Sequence, residues 1–413
     1  MFCQLQYLRH CLRQCIYRAL QELPLAETLD ETYDRTLEEI GNQNWEYGHR
    51  LFQCVAAASR PLRVEELAEF LAIDFEAEPT PTFREDWREE DAAHAVRSTC
   101  SSLLTVVEKE GSRVIQFAHF SVKEYLTSRR LFEAKDTISR FHVSMTSAHT
   151  IIAQACLSVL LHIDENITND GLKNFPLAEY AAEHWVGHAR FGDVSSRNIQ
   201  IGMKRLFDPN NSHLSVWRRI YDPELSWARP ERPPQARRTP LHCAIDCGLN
   251  DVVKFLIDER SQDVNSGGIL RDETPLILAS QKGHYEVVRT LLEHGANTET
   301  PRIRYQSPLG AASYWGRVEV VQLLLEHHAD VNAQNYRRKY TALYWASRGG
   351  EPAVVRMLLE HGADVNAKRT NGRPALAYAA NEEVAQVLIA YGAARKWCWW
   401  GHEEVRYAEL EAN

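Results

Sequence analysis

Several ingredients are missing from this chain of 413 residues, and each absence removes a class of function. Its nine cysteines are an odd number, scattered, with no Cys-x-x-Cys pair among them. That usage fits reduced thiols inside a cell better than a secreted disulfide framework. Long apolar runs are absent. The most apolar stretch, Ile151 to Ile163, is interrupted by Gln154 and His162, is too short to span a bilayer, and reads as a buried helix. The first fifteen residues carry Arg9, His10 and Arg13 but no apolar core leading to a small-residue cleavage site, so no signal peptide is expected. Positive charge is also short. A net charge of −9 at pH 7 argues against broad affinity for nucleic acid or anionic membrane.

The motifs that organise catalysis are missing as well. A phosphate loop needs Gly-x4-Gly-Lys-Ser/Thr, because backbone amides and the lysine must surround the phosphates together. Gly187 and Gly192 have the spacing, but Asp193 follows and would repel phosphate. No Gly-x-Ser-x-Gly elbow occurs. In Glu183-His184-Trp185-Val186-Gly187-His188 two imidazoles share a helical face, but Trp185 stands where a zincin needs Glu, and two ligands do not complete a zinc site. Cys11/Cys15 and Cys243/Cys247 read as small thiols in helices. Ser121 and Glu124, near His119, read as a capping box rather than a catalytic set. No catalytic, cofactor-binding or metal residue is assigned, and the chain is expected not to be an enzyme.

What the sequence does have is a repeat. Thr239-Pro240-Leu241-His242 returns as Thr274-Pro275-Leu276-Ile277, Ser307-Pro308-Leu309-Gly310 and Thr341-Ala342-Leu343-Tyr344, about 33–35 residues apart, with a degenerate fifth copy at Pro374-Ala375-Leu376. The second half recurs too: Glu286 to Ala296 returns at Glu319 to Ala329 and Pro352 to Ala363. Asp330-Val331-Asn332-Ala333 is repeated at Asp364 to Ala367. The hydroxyl caps a first helix, and proline follows where its missing N–H costs nothing. Gly248, Gly283, Gly316 and Gly349 are expected to stop that helix in the left-handed region. Val287/Val288 and Leu291/Leu292 give the second helix its buried stripe, which only stacked units can cover. These residues resemble the ankyrin-repeat family, which implies a helical solenoid of five units.

Upstream, Leu5, Leu8, Leu12, Ile16 and Leu20 predict a helix over residues 1–22, and opening in mid-helix suggests that the natural beginning is missing. Thr28-Leu29-Asp30-Glu31 starts a helix through Ile40. Helices are predicted at Leu51–Ala58, Pro61–Ile73 and Ala92–Leu104, then a β-hairpin of Leu104–Val107 and Val114–Phe117 about Glu110-Gly111-Ser112, and a helix from Ser121 through Leu131. Three helices and a hairpin outline a winged helix. Between its second and third helices, residues 74–91 are rich in Glu, Asp, Pro and Thr and predict a mobile acidic loop. The third helix offers DNA a single arginine, Arg97, beside that loop, which argues against sequence reading.

A second resemblance rests on Leu29-Asp30-Glu31-Thr32-Tyr33, Arg60-Pro61-Leu62 and Phe117 to Leu126, which look like the region after the nucleotide-binding domain of fungal NACHT–ankyrin proteins. Phe2-Cys3-Gln4-Leu5 with Leu8-Arg9-His10-Cys11 is similar to the last helices of that nucleotide-binding unit, and Leu177 to Trp185 resembles its helical connector. In that family the NACHT module hydrolyses nucleoside triphosphate, the winged helix is an internal clamp, and the repeats sense a partner. Lacking a phosphate loop, this chain does not inherit the NTPase activity.

The fold expected is mainly α: N-terminal helices over 1–44, a winged-helix domain over 45–135, a helical connector over 136–236, five ankyrin units over 237–395 and a Trp-rich tail over 396–413 that caps the solenoid. A solenoid offers its hairpin tips and the open side of its first helices as one concave surface. On first helices that side is expected to include Gln281, Tyr314, Trp315, Trp345, Arg348 and Tyr378. The tips would add Arg302, Arg304, Tyr305, Tyr336, Arg337, Arg338, Lys339, Tyr340 and Arg369. Tyr, Trp and Arg are the types enriched at binding hot spots, and a basic face on an acidic chain implies a protein partner with an acidic surface. The competing reading is that these aromatics fill gaps between repeats. An intracellular scaffold, cytoplasmic or nuclear, with no membrane or nucleic-acid partner, is the expectation.

Overall fold

A computed structural model describes residues 29–40, 45–100, 103–109, 111–134, 137–192, 196–221, 239–267, 273–299, 307–335 and 338–394. The helix expected over 1–22, the tip residues Arg302, Arg304, Tyr305, Tyr336 and Arg337, and the Trp-rich tail lie outside the described residues. The chain divides into two compact units, Met1–Arg232 and Pro233–Asn413. Among the described residues the fold is mainly helical, with two small antiparallel β-pairs, and no helix is long and apolar enough to cross a membrane.

In the first unit, α1 (Leu29–Glu38), α2 (Trp45–Ala57), α3 (Val64–Ala68) and α4 (Ala92–Cys100) precede a hairpin of β3 (Leu104–Lys109) and β4 (Ser112–Phe117), with Val107 opposite Val114. Gly111 turns the hairpin at φ 79°. The sequence reading missed a third strand-like segment: Arg63 bridges Val114, and the Ile115 N–H donates to the Leu62 carbonyl at 2.9 Å. Helix, helix, helix and wing are therefore in winged-helix order.

Two local expectations are corrected here. Ser121 does not cap a helix. The cap of α5 (Phe120–Leu126) is His119, whose ring accepts from the Ser121 N–H. The Ser121 hydroxyl instead bonds the His119 ring at 2.6 Å and Tyr33 of α1 at 2.7 Å, and a separate α6 (Arg129–Glu133) starts at Ser128. Nor is the acidic stretch a loose loop. β1 (Ile73–Asp74) pairs with β2 (Thr82–Phe83), Phe83 is buried against His162 and Phe175, and Arg88 forks onto the buried Glu69 at 2.7 and 2.9 Å. Composition suggested disorder, but one buried ring and one charge-assisted fork anchor the stretch as a strap.

The connector packs onto these elements through α7 (Met145–His162), the long apolar helix, which lies against α2 and against α9 (Ala178–Phe191). Between α7 and α9 come α8 (Asn169–Leu172), and after them α10 (Arg197–Phe207) and α11 (His213–Ile220). Trp185, Phe207 and Trp217 close the far side as three mutually packed rings, centroids 5.7–6.3 Å apart.

In the second unit each capping hydroxyl does what its position requires. Thr239, Thr274, Ser307 and Thr341 accept from the N–H three residues on and open α12 (Pro240–Asp246), α14 (Pro275–Lys282), α16 (Pro308–Tyr314) and α18 (Ala342–Gly349). The returning helices are α13 (Asn250–Asp258), α15 (Tyr285–Glu293), α17 (Val318–Glu326) and α19 (Pro352–Glu360). The last copy keeps only a 3-10 turn, Ala375–Tyr378, before α20 (Glu382–Ala390). First helices stack on first helices and second on second. Gly248, Gly283 and Gly316 are left-handed as expected, but in the fourth unit that role falls to Gly350 at φ 81°. Gly349 stays in its helix, where a Cβ would overlap the Tyr314 carbonyl of the preceding unit.

Candidate interaction surface on the repeats

The fourth unit carries a concentration of rings that the repeat pattern does not demand. Its tip is organised by Asn335, whose side-chain oxygen accepts from the N–H groups of Arg338 and Tyr340 at 3.2 and 3.0 Å. Lys339 takes a left-handed conformation at φ 54°, which turns the chain so that Tyr340 points inward. Tyr340 then stacks on Tyr344 with centroids 4.6 Å apart, and Trp345 meets both at 4.9 and 5.1 Å. Tyr314 abuts Trp345 from one side at 5.8 Å, and Tyr378 abuts Tyr344 from the other at 4.9 Å. Gly310 gives the indole its space: a Cβ there would sit 2.9 Å from Trp345 Cδ1.

Cations cover these rings. The Arg369 guanidinium lies 4.3, 4.8 and 4.7 Å from the ring centres of Tyr340, Tyr344 and Tyr378, distances at which the ring quadrupole attracts a cation. It also donates to the Tyr340 hydroxyl at 3.0 Å, and Arg338 donates to the same oxygen at 3.3 Å. Arg348 lies 5.8 Å from the Trp345 ring and donates to the Tyr344 hydroxyl at 3.3 Å. Burial raises the Tyr344 pKa, so that phenol stays neutral, and the bond to Tyr344 holds the Arg348 guanidinium firmly charged. Among the described residues neither Arg348 nor Arg369 has a carboxylate within ion-pair distance.

The predicted surface is thus partly brought together and partly redistributed. Trp315 is 49% exposed and packs edge-on against the half-buried Tyr314. Arg338, Lys339 and Arg348 are exposed, and Arg369 and Tyr378 are half-buried. Tyr340 and Trp345, expected on the open side, are each only 8% exposed and form the floor instead. Gln281 is half-buried and stands apart from the rings, its carbonyl accepting from Arg317. Tyr344 was missed. Its signal was the fourth slot of Thr341-Ala342-Leu343-Tyr344, an aromatic where the preceding unit has Gly310.

The histidine pair of the connector is engaged elsewhere. His188 meets the Tyr180 hydroxyl at 2.8 Å through Nε2 and His149 at 2.8 Å through Nδ1, while His184 packs on the Tyr180 ring. Burial, with His149 and His184 beside it, pulls the His188 pKa down to about 4. Cys54, Cys156 and Cys243 are buried, and Cys247 is half-buried.

Both units match known families. Residues 267–335 and 309–396 match ankyrin repeats (3 copies), residues 236–266 match a single ankyrin repeat, and residues 33–141 match the winged helix domain of GPI inositol-deacylase. The chain carries a winged-helix domain of that type followed by ankyrin repeats. It is also similar to azaphilone pigments biosynthesis cluster protein L of Monascus ruber, 31% identical over 293 residues. The aligned part is 66% of this chain and 60% of that protein, so the chain spans less than two thirds of its relative.

Proposed function

We propose that this protein is a non-catalytic, intracellular scaffold that captures a protein partner with an acidic surface on the aromatic, basic face of its ankyrin repeats. One observation carries the reading: a continuous floor of rings from Tyr314 to Tyr378 holds two guanidinium groups in place with no carboxylate opposite either among the described residues. Rings and cations fixed in advance lose little side-chain entropy on binding, so an incoming carboxylate gains most of its contact energy. The exposed Trp315 beside them supplies the apolar anchor that hot spots need. A labelled glutamate-rich peptide containing one tryptophan tests this. It should bind the intact chain at low salt and weaken about tenfold or more in Trp315→Ala/Arg348→Glu, with the helical CD signal unchanged. Equal affinity in the double variant would move the interface elsewhere.

The winged-helix match favours a second reading, in which the chain is the regulatory part of a NACHT-type NTPase sensor and docks on intact relatives. A phosphate loop encoded upstream of Met1 would select it.

A further inference from the structure

We infer that the acidic strap around Trp87 in one molecule is a ligand for the basic repeat face of a second copy of this chain. The inference rests on the reading of that face given above and names its occupant.

The strap is built to present carboxylates. Its two arginines are turned to its own anchoring, Arg88 onto Glu69 and Arg84 toward Asp74 at 3.6 Å. Asp91 is spent on the N–H groups of Ala93 and His94, and Glu85 meets His162 at 3.0 Å. Asp86, Glu89 and Glu90 remain outward, all exposed, around a tryptophan that is itself 43% exposed. The exposed part of this indole, set amid carboxylates, offers a partner an apolar anchor ringed by negative charge. Because Phe83 and the β1–β2 pair pin this segment, it carries the low ordering cost of a preformed ligand.

The repeat face is its counterpart in chemistry, with Trp315 exposed against Tyr314 at one end of the ring floor and the exposed Arg348 and Lys339 and the ring-held Arg369 further along it. With net charge −9, copies of the chain repel one another over most orientations, so the pairing that brings opposite signs together is singled out. Strap and face are different surfaces. The contact is therefore heterologous, leaves one free strap and one free face on every pair, and propagates into rings or chains.

Sedimentation velocity on the full chain tests this. At low salt the wild type should grow beyond a dimer as concentration rises, and high salt should dissolve the assemblies. Reversing the strap (Asp86→Lys/Glu89→Lys/Glu90→Lys) or the face (Lys339→Glu/Arg348→Glu) should each weaken self-association about tenfold or more. Mixing the two variants should restore it, because each then offers the other a matched pair. All of these side chains are exposed, and an unchanged CD spectrum confirms folding. A wild type that stays monomeric at every concentration and salt, or association that neither reversal alters, overturns the inference. If the glutamate–tryptophan peptide still binds the face while copies stay apart, only this inference falls. If neither binds, the proposed function falls with it.

Discussion

The first unit and the repeats tie down their polar groups by different means. In the first unit the buried polar groups include the ionisable Glu66, Glu69 and His188, and several partners come from far along the chain. His188 bonds Ser59, 129 positions away, and Tyr33 bonds Ser121, 88 positions away. Glu66 is fully buried and takes bonds from Arg60, from the Arg63 side chain and from the Arg63 N–H at 2.7–2.8 Å. Burial alone would raise its pKa, but these donors outweigh it and hold the carboxyl below its usual value. Glu69 has one arginine, and there burial wins and the pKa rises. In the repeats an exposed ladder of neutral amides ties each unit to the next. Asn265, Asn332 and Asn366 each donate to the carbonyl of the next unit's glycine, Gly295, Gly362 and Gly392, and accept a backbone N–H two residues on. A local, uncharged ladder can be copied from unit to unit, whereas a buried charge needs a bespoke set of donors.

The sharpest way to break this contrast is to remove a bespoke charge. Glu66→Leu leaves Arg60 and Arg63 facing an apolar side chain and α3 without its cap, so the first unit should lose about 3–4 kcal/mol in urea unfolding. Arg113→Ala, which removes the exposed partner of Glu65 on the same helix, should cost well under about 1 kcal/mol. Similar losses would mean that burial does not separate the two.

Acid is the next largest lever. The His188 pKa falls from 6.5 to about 4 on folding, so the unfolded chain binds the proton more readily. Its contribution is fully present above pH 6.5 and is lost as pH falls through the folded value, about 3 kcal/mol in all. Amide exchange in the helix Ala178–Phe191 should rise steeply over that window and lose part of its pH dependence in His188→Gln. A flat profile in the wild type would show that burial does not keep the ring neutral.

The smallest effect sharpens the comparison from the other side, because the ladder has one irregular rung. Where three units have Asn, the second has Glu299, which accepts from the Asp330 N–H at 3.0 Å but as a carboxylate cannot donate. The residue opposite is His328, left-handed at φ 61° where its counterparts are glycines. Burial raises the Glu299 pKa, so folding favours the protonated form, and its contribution is present at low pH and lost as pH rises through the folded value. Glu299→Asn should stabilise the repeats by about 1 kcal/mol at neutral pH and by less in acid. A destabilised variant would show that the ladder is not transferable.

The same division explains what could be read in advance. Caps, proline positions and the paired aliphatic stripes are decided within a few residues, and Thr239, Thr274, Ser307 and Thr341 behave alike because each meets the same neighbours. Ser121 looked like a cap for the same local reason, but the His119 ring and a tyrosine 88 positions away share its hydroxyl. The strap looked mobile because its composition is acidic, while the groups that pin it, Glu69, His162 and Phe175, lie outside it. Tyr340 and Trp345 were legible as unusual, but not as buried, since that depended on Gly310 in the neighbouring unit and on the turn at Lys339.

By itself the sequence determined that this chain ends in stacked two-helix units preceded by a helical region with one wing, because those elements are set by short-range capping and periodicity that each segment carries. Only the tertiary structure decided which aromatics become floor and which stay open, and where Arg369 comes to rest over three phenol rings. It alone turned the acidic stretch into a fixed strap. Those outcomes depend on side chains from different segments competing for one volume, and no single segment contains the terms of that competition.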